Sequence, residues 1–247
     1  MALLWKKTVK GSLYEVRTSG SSIRLYTDGV FHSSYNPRNP VTGNAWDLLM
    51  LPAFFYPDCT VKNILVLGVG GGAVIHLLNK FIQPDSIIGI EINKTHIVIA
   101  KRFFNLRYKN LKLVHADAID WLKKYQGPAF DMIIDDLFIE DSGEPVAAIG
   151  ANTSWFTLML KHLNREGVIV KNFTEHKDFN NSSPVKNKTM KKRFKSLFSF
   201  SVTHNENLVA AYLTKTAESS YLRKRLVETP ALNPRLKTSR LRYRIRK

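Results

Sequence analysis

A run of glycines, Gly68-Val69-Gly70-Gly71-Gly72, stands between an apolar tetrad, Ile64-Leu65-Val66-Leu67, and a helix-forming stretch from Ala73 to Phe81. Without Cβ atoms such a turn can be tight, and its backbone can approach a ligand closely. N–H groups at the start of the following helix favour an anion or a carboxylate. Glu91 ends a second apolar segment about 20 residues on, where a carboxylate can accept both hydroxyls of a ribose. Strand, glycine turn, helix and acid in this register point to a nucleotide-type ligand.

Two further acidic positions extend that chemistry. Asp117 follows a third apolar segment in His115-Ala116-Asp117-Ala118, and Asp135-Asp136 closes a fourth, Met132-Ile133-Ile134. Ligands of open α/β sheets sit outside the carboxyl ends of the strands. Glu91, Asp117, Asp135 and Asp136 are therefore expected on one rim. Carboxylates gathered there repel one another, so a cationic ligand group or a hydrogen-bonding nucleoside is expected between them.

The elements that must position these residues follow from periodicity. Residues 12–35 alternate as strands around turns at Ser19-Gly20-Ser21 and Thr27-Asp28-Gly29, which predicts a small antiparallel sheet. Thr42-Gly43-Asn44 opens a helix that carries Trp46, Leu48, Leu49 and Phe54 and ends near Tyr56-Pro57. From Asn63 onward, short apolar strands alternate with helices, which predicts a doubly wound α/β sheet with right-handed crossovers. Trp155 to Leu163 reads as a further helix and Gly167 to Val170 as the next strand. Met190 to Leu197 and Val202 to Leu213 supply a last helix and strands. The expected division is 1–58 for the small N-terminal region and connecting helix, 59–215 for the nucleotide-binding domain, and 216–247 for a basic C-terminal tail.

Composition narrows the class. With 44% hydrophobic residues among 247, the chain can bury a sizeable core and is not disordered as a whole. No apolar run of about 18 residues exists, so no membrane span is expected. The first residues place Lys6-Lys7 after a short apolar stub, the reverse of a signal peptide, which predicts a cytoplasmic protein. A single cysteine, Cys59, excludes an internal disulfide framework and reads as inert packing, and the seven scattered His show no metal-ligand spacing. His76 reads as a packed residue, and the pairs Asp141-Ser142 and Glu175-His176 lack a nucleophile motif. The net charge is +17, and residues 184–247 hold 17 Lys+Arg against Glu206, Glu218 and Glu228. Arg240 to Lys247 alternates basic with apolar or aromatic residues, a pattern suited to nucleic acid, an acidic partner, or a charged edge strand.

From about Leu25 to Val170 the sequence resembles the spermidine synthase family, a branch of the class I S-adenosylmethionine-dependent transferases. The resemblance is carried by Ile64 to Gly72, Gly89-Ile90-Glu91-Ile92, Ala100 to Phe104, Asp117 to Leu122 and Phe130 to Asp136. It implies a Rossmann-like class I methyltransferase sheet preceded by a small N-terminal antiparallel β-hairpin domain. It also implies that Gly68, Val69, Gly70, Gly71 and Gly72 approach the amino-acid end of the cofactor, that Glu91 with Ile92 meets its ribose, and that Asp117 and Ala118 face adenine. Asp136 matches the family's aspartate beside the acceptor amine, with Asp135 as its rival for that role. The hairpin of this family covers the same end of the sheet, which makes His32, Trp46 and Asp47 candidates for the acceptor pocket. A homodimer is the corresponding weak expectation.

The departures from the family are specific. Gly71 stands where the family has an aspartate, Ile139 where it has a second catalytic aspartate, and His32 where it has a glutamine; its tyrosine on the next helix has no counterpart around Ala45-Trp46-Asp47. Those losses remove partners for a polyamine, and a buried ammonium without a carboxylate is expensive. The expectation is therefore an enzyme that uses S-adenosylmethionine or its decarboxylated form and no metal. Methyl transfer to an unidentified small or macromolecular acceptor stands slightly ahead of aminopropyl transfer. A non-catalytic nucleotide-binding module docked on nucleic acid through its basic tail is the third reading.

Overall fold

The structure, a computed structural model, describes residues 1–141, 143–203 and 207–247. Ser142 of the Asp141-Ser142 pair, the side chain of Asp141, and Glu206 of the basic region lie outside the described residues.

Four strands form the N-terminal antiparallel sheet in chain order: β1 (Ala2–Val9), β2 (Ser12–Ser19), β3 (Ser22–Thr27) and β4 (Val30–Tyr35). The alternation at 12–35 accounts for three of them, and β1 adds a strand that the opening residues did not announce. Tyr14, Val16 and Leu25 bury one face of this sheet against Ile99 and Phe104 of the main domain. α1 (Ala45–Met50) continues into a 3₁₀ turn, Leu51–Phe55, and almost every side chain of both is buried.

Then come β5 (Asn63–Leu67), α2 (Ala73–Phe81), β6 (Ser86–Glu91), α3 (Lys94–Phe103), β7 (Leu111–His115), α4 (Ala118–Lys124) and β8 (Phe130–Asp135). A hairpin of β9 (Phe138–Asp141) and β10 (Glu144–Ala147) precedes α5 (Thr153–Lys161) and β11 (Leu163–Phe173). Three short helices, α6 (His176–Asn180), α7 (Ser183–Lys186) and α8 (Lys188–Lys191), lead to β12 (Ser196–Ser201) and β13 (Leu208–Leu213). The chain closes with α9 (Ser219–Glu228) and β14 (Arg244–Arg246).

The main sheet runs β14-β12-β13-β11-β8-β5-β6-β7. β11, β8, β5, β6 and β7 are mutually parallel, whereas β13, β12 and β14 join antiparallel. Apolar residues alternate between two cores. Ile64, Val66, Met132, Ile134, Val168 and Val170 face one; Leu65, Leu67, Ile133 and Ile169 face the other. Each buried side chain of this size contributes about 1.5–3 kcal/mol relative to exposure, so a sheet buried on both faces fixes the positions of its strand ends.

The basic segment 216–247 takes the edge-strand form named among its expected alternatives: Leu222, Leu226, Leu232 and Leu241 are fully buried in the main core, and β14 pairs with β12 at the sheet edge. Cys59 is exposed, with φ of 59°, rather than packed. His76 is buried as expected, stacked on Tyr35 with ring centroids 3.7 Å apart and bonded through Nδ1 to the Tyr108 hydroxyl at 2.8 Å. Among the described residues no helix is long and apolar enough to cross a membrane.

Candidate functional site

The carboxyl ends of β5, β6, β8 and β11, roofed by the N-terminal sheet and α1, enclose a cavity of about 530 Å³. Its floor is the glycine turn. Gly68 has φ of +83°, and a Cβ there would stand 2.2 Å from the Asp136 carbonyl oxygen, so only glycine lets these two strand ends cross. Gly70, at φ +53°, lies under the His32 carbonyl. Gly68, Val69 and Gly70 line the cavity. Gly71 and Gly72 instead pack behind it, against Ser33 and Phe104 and against Leu106 respectively.

Glu91 ends β6 with its side chain buried, and it organises the turn. Its Oε2 accepts hydrogen bonds from the Val69 N–H (3.0 Å) and Gly70 N–H (2.9 Å), and its Oε1 accepts from the Asn93 N–H (2.8 Å). Two N–H groups of the glycine turn, ahead of the helix start to which an anion was expected, are thus already paired with a carboxylate. His96 Nδ1 lies 3.8 Å from Glu91 Oε1, and its Nε2 shares a 2.8 Å hydrogen bond with the Thr27 hydroxyl. Burial lowers His96 to about 4. Burial, with the neighbouring His96, does the same to His32, against weaker opposition from Glu91 and Asp28. Both rings are therefore neutral near pH 7. His32 lines the cavity, and its buried Nε2 has no hydrogen-bond partner among the described residues.

The two adjacent aspartates separate. Asp135 is fully buried away from the cavity, where Oδ2 accepts from Lys171 Nζ (2.7 Å) and Trp155 Nε1 (2.7 Å). It is a structural counter-ion, which removes it from the catalytic candidates. Asp136 lines the cavity, and Asn172 Nδ2 donates to its Oδ1 at 2.8 Å. Enclosure raises the Asp136 carboxyl to about 6, the Asn172 hydrogen bond opposing and Asp135 reinforcing the shift.

Other expected residues fall outside. Asp117 caps α4, accepting from the Asp120 N–H at 3.0 Å, and neither it nor Ala118 lines the cavity. Asp47 is buried and holds the backbone of Thr42 and Gly43, at 3.0 and 2.5 Å from its Oδ2, so it shapes the loop before α1 rather than the pocket. Burial raises it to about 6. Trp46 and Ile92 do line the cavity. Sequence reasoning missed Asn172, Asn207 and Asn93. Asn172 sits at the carboxyl end of a parallel strand, the rule that found Asp136, and the Lys171-Asn172 pair interrupting an apolar strand was its signal.

The charge of the lining is one-sided. Asp28, Glu91, Asp136 and Glu140 contribute carboxylates, and among the described residues no Lys or Arg lines the cavity. Tyr14, Phe31, Trp46 and Phe138 add aromatic faces. Such a cavity attracts cations and organic rings. Among the described residues no group of three or more His, Cys, Asp or Glu is placed to hold a metal ion.

A model of the spermine/spermidine synthase domain matches residues 47–228. Among curated proteins, polyamine aminopropyltransferase 2 of Caldanaerobacter subterraneus subsp. tengcongensis is 27% identical over 132 residues, covering 52% of this chain and 42% of that protein. The polyamine aminopropyltransferase of Prochlorococcus marinus strain MIT 9312 is 24% identical over 190 residues, covering 69% of this chain and 66% of that protein. The chain thus spans between two fifths and two thirds of the length of these relatives. Among solved structures, a spermidine synthase in complex with the transition state analogue AdoDATO superposes with a TM-score of 0.69 at 12% identity, over 96% of this chain and 80% of that one. A probable spermidine synthase from Corynebacterium glutamicum gives 0.72 at 14% identity, over 100% and 91%. At these identities the superpositions establish the fold.

Proposed function

This chain belongs to the spermine/spermidine synthase family, and from that membership we propose that it transfers an aminopropyl group from decarboxylated S-adenosylmethionine to an amine. Methyl transfer led the sequence reading. The family match and the names of the relatives favour its alternative.

The observation that carries the proposal is the acidic, Lys- and Arg-free lining in a chain of net charge +17. A carboxylated donor entering there would meet Glu91 and Asp136 and find the Val69 and Gly70 N–H groups taken. A donor without that carboxylate, and an acceptor amine, suit the same surroundings. The donor, when bound, supplies a carbon made electrophilic by its neighbouring sulfonium. Glu91, with three backbone N–H groups on its two oxygens, holds the glycine turn in place and keeps about one lone-pair direction, on Oε1, for a ribose hydroxyl. Asp136, oriented by Asn172, accepts a hydrogen bond from the acceptor nitrogen and takes its proton as the carbon–nitrogen bond forms and the carbon–sulfur bond breaks. Phe31, Trp46 and Phe138 exclude water and align the reactants, and such alignment can supply several kcal/mol, on the order of 7–11 at best.

The test is incubation of the protein with decarboxylated S-adenosylmethionine and a panel of aliphatic diamines, read by mass spectrometry. The expected products are the N-aminopropyl amine and the thioether nucleoside in equal amounts. Transfer of methyl from S-adenosylmethionine under the same conditions, with no aminopropyl product, would overturn the proposal.

A further inference from the structure

The basic segment that closes the described chain is ordered into a one-sided strip. From Arg240 to Lys247 the residues alternate: Leu241 is fully buried and Tyr243 and Ile245 pack against the main core, while Arg240, Arg242, Arg244 and Arg246 are exposed. β14 pairs with β12 through Ser199–Arg246 and Ser201–Arg244, and it forms the outermost strand of the sheet. Buried apolar residues on one side thus hold four guanidinium groups out on the other.

Three of these four guanidinium groups are not used internally. Among the described residues the Arg240, Arg244 and Arg246 side chains make no hydrogen bond or ion pair, and Arg242 reaches only the carbonyls of Ser239 and Leu241. Lys247 alone is committed, to Glu218 at 2.8 Å. Residues 229–247 contain Arg235, Lys237 and Lys247 besides the four arginines, and no acid. Protection of a sheet edge from aggregation accounts for Arg244 and Arg246, which sit on the strand itself. It does not account for Arg235, Lys237, Arg240 and Arg242, which precede it. The Arg240 end of the segment approaches the cavity wall: a Cβ at Gly43 would lie 3.3 Å from the Arg240 carbonyl, and the next residue, Asn44, lines the cavity.

We propose that the Arg240–Arg246 strip is a docking surface for the phosphate backbone of single-stranded nucleic acid. Arg244 and Arg246, alternate residues of β14, project to the same side about 6.6–6.8 Å apart, and the exposed Arg240 and Arg242 precede them, so the segment presents a run of like charge that suits a polyanion. Arginine outnumbers lysine there, and its planar fork binds phosphate oxygens in pairs. No base-reading side chain accompanies the strip, so binding is independent of sequence. The surface is separate from the acidic cavity, and the inference stands whether or not aminopropyl transfer does.

The experiment is fluorescence anisotropy of labelled 20-nucleotide RNAs of two unrelated sequences, titrated with the full chain at several salt concentrations. A variant carrying R240Q, R242Q, R244Q and R246Q keeps the apolar face and is first checked for an unchanged circular dichroism spectrum and melting midpoint. Expected are equal affinities for both RNAs, a steep salt dependence, and a log–log slope reduced by about 3 in the variant, near 0.7 per lost phosphate contact on a single strand. No binding by the parent protein at 50 mM salt overturns the proposal. So does an unchanged slope in the variant, which would move the contact to Lys186–Lys195, and so does displacement of RNA by polyglutamate at equal charge concentration, which would make the partner an acidic protein.

Discussion

Asp135 and Asp136 are covalent neighbours with opposite surroundings: the first is sealed against Lys171 Nζ at 2.7 Å, the second opens on the cavity under an Asn172 hydrogen bond. Their substitutions should therefore separate stability from chemistry. Asp135→Asn leaves the Lys171 ammonium buried without its counter-ion, at a cost of about 3–5 kcal/mol, visible as a lower urea midpoint. Asp136→Asn should leave the midpoint unchanged or raised, because its carboxylate is disfavoured in the fold, and should slow transfer by about 10²–10⁴. Equal loss of stability in both variants would contradict this division.

The pH profile should report the same group. In the proposed transfer Asp136 must be ionised to take the acceptor's proton, and enclosure raises its carboxyl to about 6. kcat/KM is expected to fall about tenfold per pH unit below that value, in proportion to the ionised fraction. The Asn172 hydrogen bond holds the value down, so Asn172→Ala should move the inflection upward. An inflection that stays in place in Asn172→Ala would assign the titration to another residue.

The glycine turn is intolerant for two different reasons. Gly68→Ala combines a positive φ with a Cβ placed 2.2 Å from the Asp136 carbonyl, so it should both destabilise the fold and displace the Asp136 carboxylate. Gly71 has no unusual φ, but a Cβ there would stand 2.8–2.9 Å from Phe104 and Ser33. Gly71→Asp should cost about 1–3 kcal/mol through overpacking, and adding Ser33→Gly should recover part of it. Failure of the second change to recover any stability would point away from the Ser33 contact.

Acid should weaken the fold through its buried imidazoles. Burial depresses His76 to about 4 from its ordinary 6.5, so unfolding takes up a proton between those values. The stability His76 contributes is complete above pH 6.5 and is lost as pH falls toward 4. Asp47 and Asp136, raised to about 6, act in the opposite sense over part of that window. The informative quantity is therefore the difference between parent and His76→Gln urea midpoints, which should shrink from pH 7 to pH 5. A difference that is constant with pH would contradict the depressed imidazole.

What the sequence revealed depended on how local the signal was. The apolar tetrad Ile64–Leu67, the glycines and Glu91 are fixed by short-range rules, so the sheet, its turn and the rim acid were legible. Asp136 was legible too, but its distinction from Asp135 was not. Which of two neighbours faces a partner depends on Trp155 and Lys171, 20 and 36 residues away. The backbone roles of Asp117 and Asp47 were not legible, because a carboxylate near a helix start can serve either a ligand or the backbone, and each pairs with loop or cap N–H groups. Gly71 was visible as a departure from the family. Its cause was not, since it lies in Ser33 and Phe104, brought there by the N-terminal sheet and α3.

The most direct test is calorimetric titration with S-adenosylmethionine and with its decarboxylated form, on the parent protein and on Glu91→Ala. The acidic cavity and the occupied Val69 and Gly70 N–H groups predict tighter binding of the decarboxylated donor, with affinity reduced at least tenfold, about 1.4 kcal/mol, in the variant. Preference for the carboxylated cofactor would contradict the account, because its carboxylate would have to sit among Glu91 and Asp136 with no Lys or Arg in the lining and with the Val69 and Gly70 N–H groups taken.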